Sequence, residues 1–404
     1  MSTSEPKTTK VHGIPRRGFL GAAAAMGLSA TGWSELAEGI EGVGAEAASQ
    51  EDLFVINMLG GIVNLNPRAG RGPGGGRAGT GGSAFDPRAI ADAIDSGMRA
   101  VNVTVGGFAF DTQESFDPTV TEVTRWTQMV RSRPDTLVRV LNASDIERAR
   151  EERKVGIIFG FQNAAMMGDD ASRVRTFADL GVRIVQLTYN GANQLGHGAL
   201  VPENEGLTPF GREVVEALEA AEVLVDLSHS GERTCLDALR AATRPTAITH
   251  TGCRALADLP RNKTDEELRL VAETGGIVGI YFMPFFLVRD GMAVAADVVR
   301  HVEHAIDVCG EDHVGIGTDA GTTQIDDMEA FLASASLRSA RRLLQELGGI
   351  VLEPGDLPVI PELHGPDQFR RVAGMLMDRG HSAERVEKIM GLNALRVMRE
   401  VWRG

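Results

Sequence analysis

Eight short apolar runs, each followed by a polar residue, a loop and usually a helix-like stretch, recur between residues 53 and 318 of this 404-residue chain. They are Leu53–Leu59, Arg99–Val105, Val155–Phe161, Val182–Thr188, Val223–Ser228, Thr246–Thr249, Gly276–Phe282 and His313–Thr318. Most are rich in Val and Ile with apolar residues on both faces, the pattern of parallel strands buried on both sides. Arg88–Ser96, Ser172–Leu180, Gly211–Ala221 and Glu266–Glu273 read as helices between them. Eight strands alternating with helices predict an α/β chain folded as a (β/α)8 TIM-type barrel. A doubly wound sheet is the alternative, but it usually carries fewer strands and a phosphate loop, and no GxGxxG or P-loop pattern occurs here.

The expected organisation is one barrel domain over 51–404, ending in helices Gln368–Arg379 and Ser382–Arg399 packed on its outside. The glycine-rich segment Arg68–Gly82 reads as a loop after the first strand, because no GKS/T follows it. Gly321–Glu362 reads as an insertion near the barrel mouth. Residues 1–50 read as an address and linker: Arg16-Arg17 precedes the mildly apolar run Gly21–Ala30, and Ala45-Glu46-Ala47 offers small residues for cleavage. Paired arginines in that setting resemble a twin-arginine signal, which implies export to the periplasm or another extracytoplasmic space. The run is too short to span a bilayer comfortably, so no stable membrane span is expected after signal removal. A net charge of -14 argues against nucleic acid or an anionic membrane as the main partner. Cys235, Cys253 and Cys309 are too few and too odd in number to staple the fold.

In a barrel of this kind chemistry sits on the loops after the strands. Run five ends in Asp226-Leu227-Ser228-His229, run six in Thr249-His250, and run eight in Thr318-Asp319. Two histidines and an aspartate at one rim match the ligand set of many metal-dependent hydrolases. The other histidines carry less: His301 and His304 read as a solvated helical face, His313 as structural, and His197 as a pocket-lining candidate. Cys253 reads as a small buried hydrophobe rather than a thiolate ligand.

Those motifs, together with Leu259-Pro260-Arg261-Asn262, Leu207-Thr208-Pro209-Phe210-Gly211-Arg212, Asp312–Asp319 and Gly391-Leu392-Asn393-Ala394, resemble the membrane (renal-type) dipeptidase family. The resemblance runs from about residue 51 to 402. It implies an amidohydrolase-like barrel in which two zinc ions, bridged by a glutamate and a hydroxide, attack a dipeptide carbonyl. It further implies His229 and His250 as ligands of one zinc, and Asp319 as ligand of the other and proton acceptor. Arg261, with its neighbour Asn262, would bind the substrate, the guanidinium clamping its carboxylate. Family members often dimerise, so a homodimer is also implied.

The chain departs from the family at four positions. Where the first strand should end in His-x-Asp, Leu59 and Gly61 stand; the bridging glutamate is Gln162; and the oxyanion-steadying histidine is Tyr189. The expectation is a hydrolase of a dipeptide or small amide with a free carboxylate, using one zinc rather than two, held by His229, His250 and Gln162 with Asp319 nearby. The competing expectation is a non-catalytic barrel, holding no zinc and serving as a binding module. A related amidohydrolase or lactonase activity is the third.

Overall fold

All eight apolar runs become strands, and the strands close on themselves. The computed structural model describes residues 53–66, 85–106, 115–333, 345 and 357–403. Its barrel strands are β1 (Val55–Asn57), β2 (Met98–Thr104), β3 (Val155–Phe161), β4 (Val182–Gln186), β5 (Leu224–Asp226), β6 (Ala247–Thr251), β7 (Ile277–Ile280) and β8 (Val314–Ile316). Neighbours pair in parallel around the ring, and β1 meets β8 through Asn57 opposite Ile316. Every residue of β1, β3, β5, β6, β7 and β8 is buried. That follows from the sequence: one face of each strand fills the barrel, and the other packs under a ring of helices. The proposed signal at 1–50 and the glycine-rich segment at 68–82 lie outside the described residues, as does most of the insertion after 321.

Four details differ from expectation. A ninth strand, Leu137–Arg139, pairs with the first half of β3 while β4 takes the second half of it. Three residues are too few for a periodicity to show. Beyond the barrel rim, Gly60–Gly61 and Ala320–Gly321 form a small parallel pair. The last expected helix is broken into Ala383–Glu387, a π turn Lys388–Leu392 and Asn393–Val401. Gly391 in that turn lies against the Phe54 carbonyl, where a Cβ would collide, and the Asn393 amide donates to the carbonyls of Glu311 and Val314 at 2.7 and 2.8 Å. These contacts locate the π turn where the helix meets the strand bottoms. The final helix is not on the outside: Leu395, Met398 and Trp402 share one apolar cluster with the inward residues Ile56, Ile158 and Ile277. It caps the lower end of the barrel, leaving the C-terminal rim to carry chemistry.

Close backbone packing near that rim depends on glycine. A Cβ on Gly279 of β7 or on Gly317 after β8 would collide with the Thr249 carbonyl on β6. Gly317→Ala therefore pushes β6, and with it His250, out of register. The expected cost is about 1–3 kcal/mol, the scale for overpacking a filled interior. Urea unfolding measures it, and an unchanged midpoint contradicts the packing described.

Candidate active site

The polar ends of strands β3 to β6 meet in one buried cluster. His229 follows β5 and His250 lies within β6; their Nε2 atoms are 2.9 Å apart and their rings 4.9 Å between centroids. The Nδ1 of His229 is 2.6 Å from the Asn190 side-chain oxygen, so with that amide as oriented Nδ1 carries the proton and Nε2 is bare. The Nδ1 of His250 is 2.9 Å from Thr249 Oγ1. Thr249 gives its own proton to Asp226 Oδ2 at 2.6 Å, so it accepts from His250 Nδ1–H and leaves that Nε2 bare too. The side-chain nitrogen of Gln162 stands 3.4 Å from His250 Nε2, and Thr104 Oγ1 donates to the Gln162 oxygen at 3.0 Å.

Two bare nitrogens facing each other repel, a repulsion that in the metal-free protein only the Gln162 NH2, 3.4 Å from His250 Nε2, eases, and that a cation between them removes. A proton does not supply that cation at neutral pH: burial first, then the Arg261 charge, hold both imidazoles well below the ordinary histidine range. Both rings are held at Nδ1 by a hydrogen bond, the contact that fixes the orientation of a metal-binding imidazole. The pair therefore fits a single ion, with Gln162 as a third, neutral donor once its amide turns its oxygen inward. It does not fit two. Leu59 is buried and apolar, Gly61 has no side chain, and among the described residues no group of three or more His, Cys, Asp or Glu is placed to hold a metal. Arg261 also opposes a dication electrostatically, so such an ion is held less tightly than at a carboxylate-bridged site.

Around this pair stand the remaining candidates. Tyr189 stacks on His229 with centroids 4.2 Å apart and planes 22° apart. Burial, and next the nearby Asp319 charge, push its phenol up, so it stays a protonated donor. Arg261 is buried, gives Nη1 to the Ser228 carbonyl at 2.6 Å and lies over the Phe286 ring. Its Nε has no partner among the described residues. No carboxylate of the protein neutralises it by direct contact among the described residues. Asp319 sits in the left-handed region at φ +55°, which a short polar side chain tolerates, and its N–H donates to the Leu59 carbonyl at 2.9 Å. Burial raises its carboxyl to about 6 against the downward pull of Arg261.

Asn262 departs from its expected role. Its amide donates to the carbonyls of Ala257 and Phe286 at 2.7 and 2.8 Å, and its oxygen accepts from the Tyr281 hydroxyl. With every polar atom so used and no exposure, it shapes the loop that carries Arg261 rather than touching substrate. His301 is likewise not solvated: it is buried, accepting from Cys253 N–H at 2.9 Å and donating to the Leu287 carbonyl. His304 pairs with Asp265 at 2.8 Å, and the Cys253 thiol is buried against the His301 carbonyl. His197 is spent in its own loop, its Nδ1 accepting from Glu205 N–H at 3.0 Å. Sequence reasoning missed Asn190, Thr249 and Asp226 as orienting groups. The available signal was that each is a polar residue beside or within a strand-end motif already singled out.

A sequence profile of the membrane dipeptidase family (peptidase family M19) matches residues 87–347, more than half of the chain. An amidohydrolase from Pseudomonas aeruginosa of known structure is 29% identical, with a TM-score of 0.71 over 88% of this chain and 98% of that one. The dipeptidase tcpJ of Claviceps purpurea is 30% identical over 262 residues; the match covers 64% of this chain but 54% of that longer protein. An uncharacterised protein encoded in the pqqA 5' region of Klebsiella pneumoniae is 28% identical over 272 residues, 65% of this chain and 88% of its own.

Proposed function

Because the chain belongs to the membrane dipeptidase family, a family of hydrolases, we propose that it hydrolyses a dipeptide or small amide bearing a free carboxylate, with one zinc ion rather than two. The observation that carries this reading is the approach of the Nε2 atoms of His229 and His250 to 2.9 Å beside the Gln162 amide. Those three residues would hold the ion, which when bound supplies a Lewis acid and a water acidified to near neutrality. Arg261, buried and without a carboxylate partner among the described residues, offers a planar fork to the substrate's carboxylate and fixes its orientation. Tyr189 offers an O–H to the oxygen that gains charge as the carbonyl is attacked. Asp319 accepts the proton of the attacking water.

His250→Ala removes one of the two nitrogen donors, and zinc uptake and dipeptide cleavage are both expected to vanish, by elemental analysis and ninhydrin assay. Cleavage undiminished in that variant excludes the reading. With Asp319 as proton acceptor, kcat/KM rises with pH and levels off above about 6, since the carboxyl must be ionised to act. A cation beside it moves that limb down, never up. An acid limb well above pH 6 rules Asp319 out.

The second reading, a non-catalytic barrel that binds a small peptide, is favoured by Leu59 and Gly61 at the positions of a second metal. Wild-type protein that takes up no zinc yet binds a dipeptide would select it. We retain export by the twin-arginine route, on the strength of Arg16-Arg17 and the apolar run after them. Among the described residues no helix is long and apolar enough to cross a membrane. A homodimer remains part of the proposal through the family alone.

A further inference from the structure

One buried carboxylate organises both strands that carry the histidines. Asp226, at the end of β5, accepts on Oδ1 from Ser228 N–H and Thr249 N–H, each at 3.0 Å, and from the Ser228 hydroxyl. On Oδ2 it accepts from the Thr249 hydroxyl at 2.6 Å. Both hydroxyl protons are thereby committed, and both hydroxyl oxygens turn their lone pairs to His250: Ser228 Oγ accepts its backbone N–H at 3.1 Å, and Thr249 Oγ1 accepts its Nδ1–H at 2.9 Å. The Ser228 carbonyl also accepts from Arg261. A carboxylate accepts only, so the direction of every bond in this chain is fixed from the Asp226 end.

We infer that Asp226 is a positioning residue that, through Thr249, selects the Nδ1–H tautomer of His250 and so keeps Nε2 bare for a ligand. As a statement about zinc this rests on the function proposed above; as a statement about a tautomer it does not. An amide at the position reverses the chain. In Asp226→Asn the side-chain oxygen stays with the three donors on the Oδ1 side, and the NH2 group faces Thr249. The Thr249 hydroxyl, now receiving a bond, turns its proton to His250 Nδ1, and the ring proton moves to Nε2, where His229 Nε2 accepts it. Thr249→Val removes the hydroxyl at nearly constant volume and leaves Nδ1–H unpaired, with the same result. Thr249→Ser keeps the hydroxyl and the wild-type tautomer.

The test uses full-length protein, stripped with a chelator and labelled with 15N at its nine histidines. Long-range proton–nitrogen spectra report which ring nitrogen carries the proton, and His250→Ala assigns the His250 signals. The wild type and Thr249→Ser are expected to show Nδ1 protonated, and Asp226→Asn and Thr249→Val to show Nε2 protonated. Zinc affinity in the latter two is expected to fall about 10–100-fold, as when a ligand's orienting partner is lost. A residue that merely stabilised the barrel would lower the unfolding midpoint without exchanging the two nitrogen signals. If Nδ1 stays protonated in both Asp226→Asn and Thr249→Val, the inference is overturned; should Asp226→Asn not fold, Thr249→Val decides alone. A wild type without hydrolase activity but with the tautomer exchange would discard the proposed reaction and leave the positioning role standing.

Discussion

Replacing Lys263 by methionine is expected to destabilise the protein by about 3–5 kcal/mol, the cost of leaving a buried charge without its partner. Lys263 Nζ donates to Glu267 Oε1 at 3.0 Å and to the Ser230 carbonyl, with both side chains shut off from solvent at 2% and 0% exposure. Glu267 in turn closes a capping box, its other oxygen accepting from Thr264 N–H and Oγ1–H at 2.9 Å at the start of helix Asp265–Glu273. Burial pushes the Glu267 carboxyl up, but Lys263 and the Thr264 bonds outweigh it and hold the group below its usual range. A depressed carboxyl stabilises the fold above its ordinary titration range and loses that contribution as pH falls through the folded value. The Lys263→Met penalty is therefore largest near neutrality and shrinks in acid, where the stranded carboxylate protonates. Adding Glu267→Gln, which keeps a cap acceptor and removes the charge, should recover much of the loss. Urea unfolding at pH 7 and pH 5 measures all three variants; a pH-independent loss below about 1 kcal/mol, the size of an exposed pair, would contradict the account. Because Lys263 lies two residues after Arg261, KM should rise in the single variant if Arg261 is the clamp proposed above.

Restoring a carboxylate at Gln162 is the second large effect expected. Gln162→Glu places a negative charge where the amide now meets His250 Nε2. Two unit charges 4 Å apart at an effective dielectric near 20 attract by about 4 kcal/mol, and desolvating the new carboxylate takes back a part. A net gain of at least about 1.4 kcal/mol, tenfold in zinc affinity, is the expected result. Competition titration with a chromophoric chelator reads it directly. Unchanged or weaker zinc binding would place Gln162 outside the ligand set. Thr104, which donates to the Gln162 oxygen at 3.0 Å, can donate to the carboxylate as well, so the substitution leaves no new orphan beside it.

The eight barrel strands were legible because burial on two faces demands continuous Val- and Ile-rich runs, a pattern local enough to read one strand at a time. The ninth strand, Leu137–Arg139, was too short for that, and the capping role of Asn393–Val401 was hidden because an amphipathic helix looks alike wherever its apolar face lands. In the site, the identities of His229, His250 and Asp319 stood out as polar residues ending apolar runs, whereas Arg261, in a loop, was reached only through the family resemblance. Asn262 was credited with a role by adjacency to Arg261, and only its three hydrogen-bond partners reassigned it. His301 was misread because helical spacing does not say which side of a helix meets the barrel; its contact with Cys253 N–H does.

What the residues settled by themselves is chemical type and order along the chain: which strand ends bear imidazole or carboxylate, and that Leu59 and Gly61 bear neither. What the folded molecule alone decided is direction. Whether His250 presents a lone pair or a proton depends on Thr249, and Thr249 depends on Asp226, 23 positions earlier and one strand away. Hydrogen-bond polarity passes between groups that are neighbours in space, and closing the barrel is what makes them neighbours.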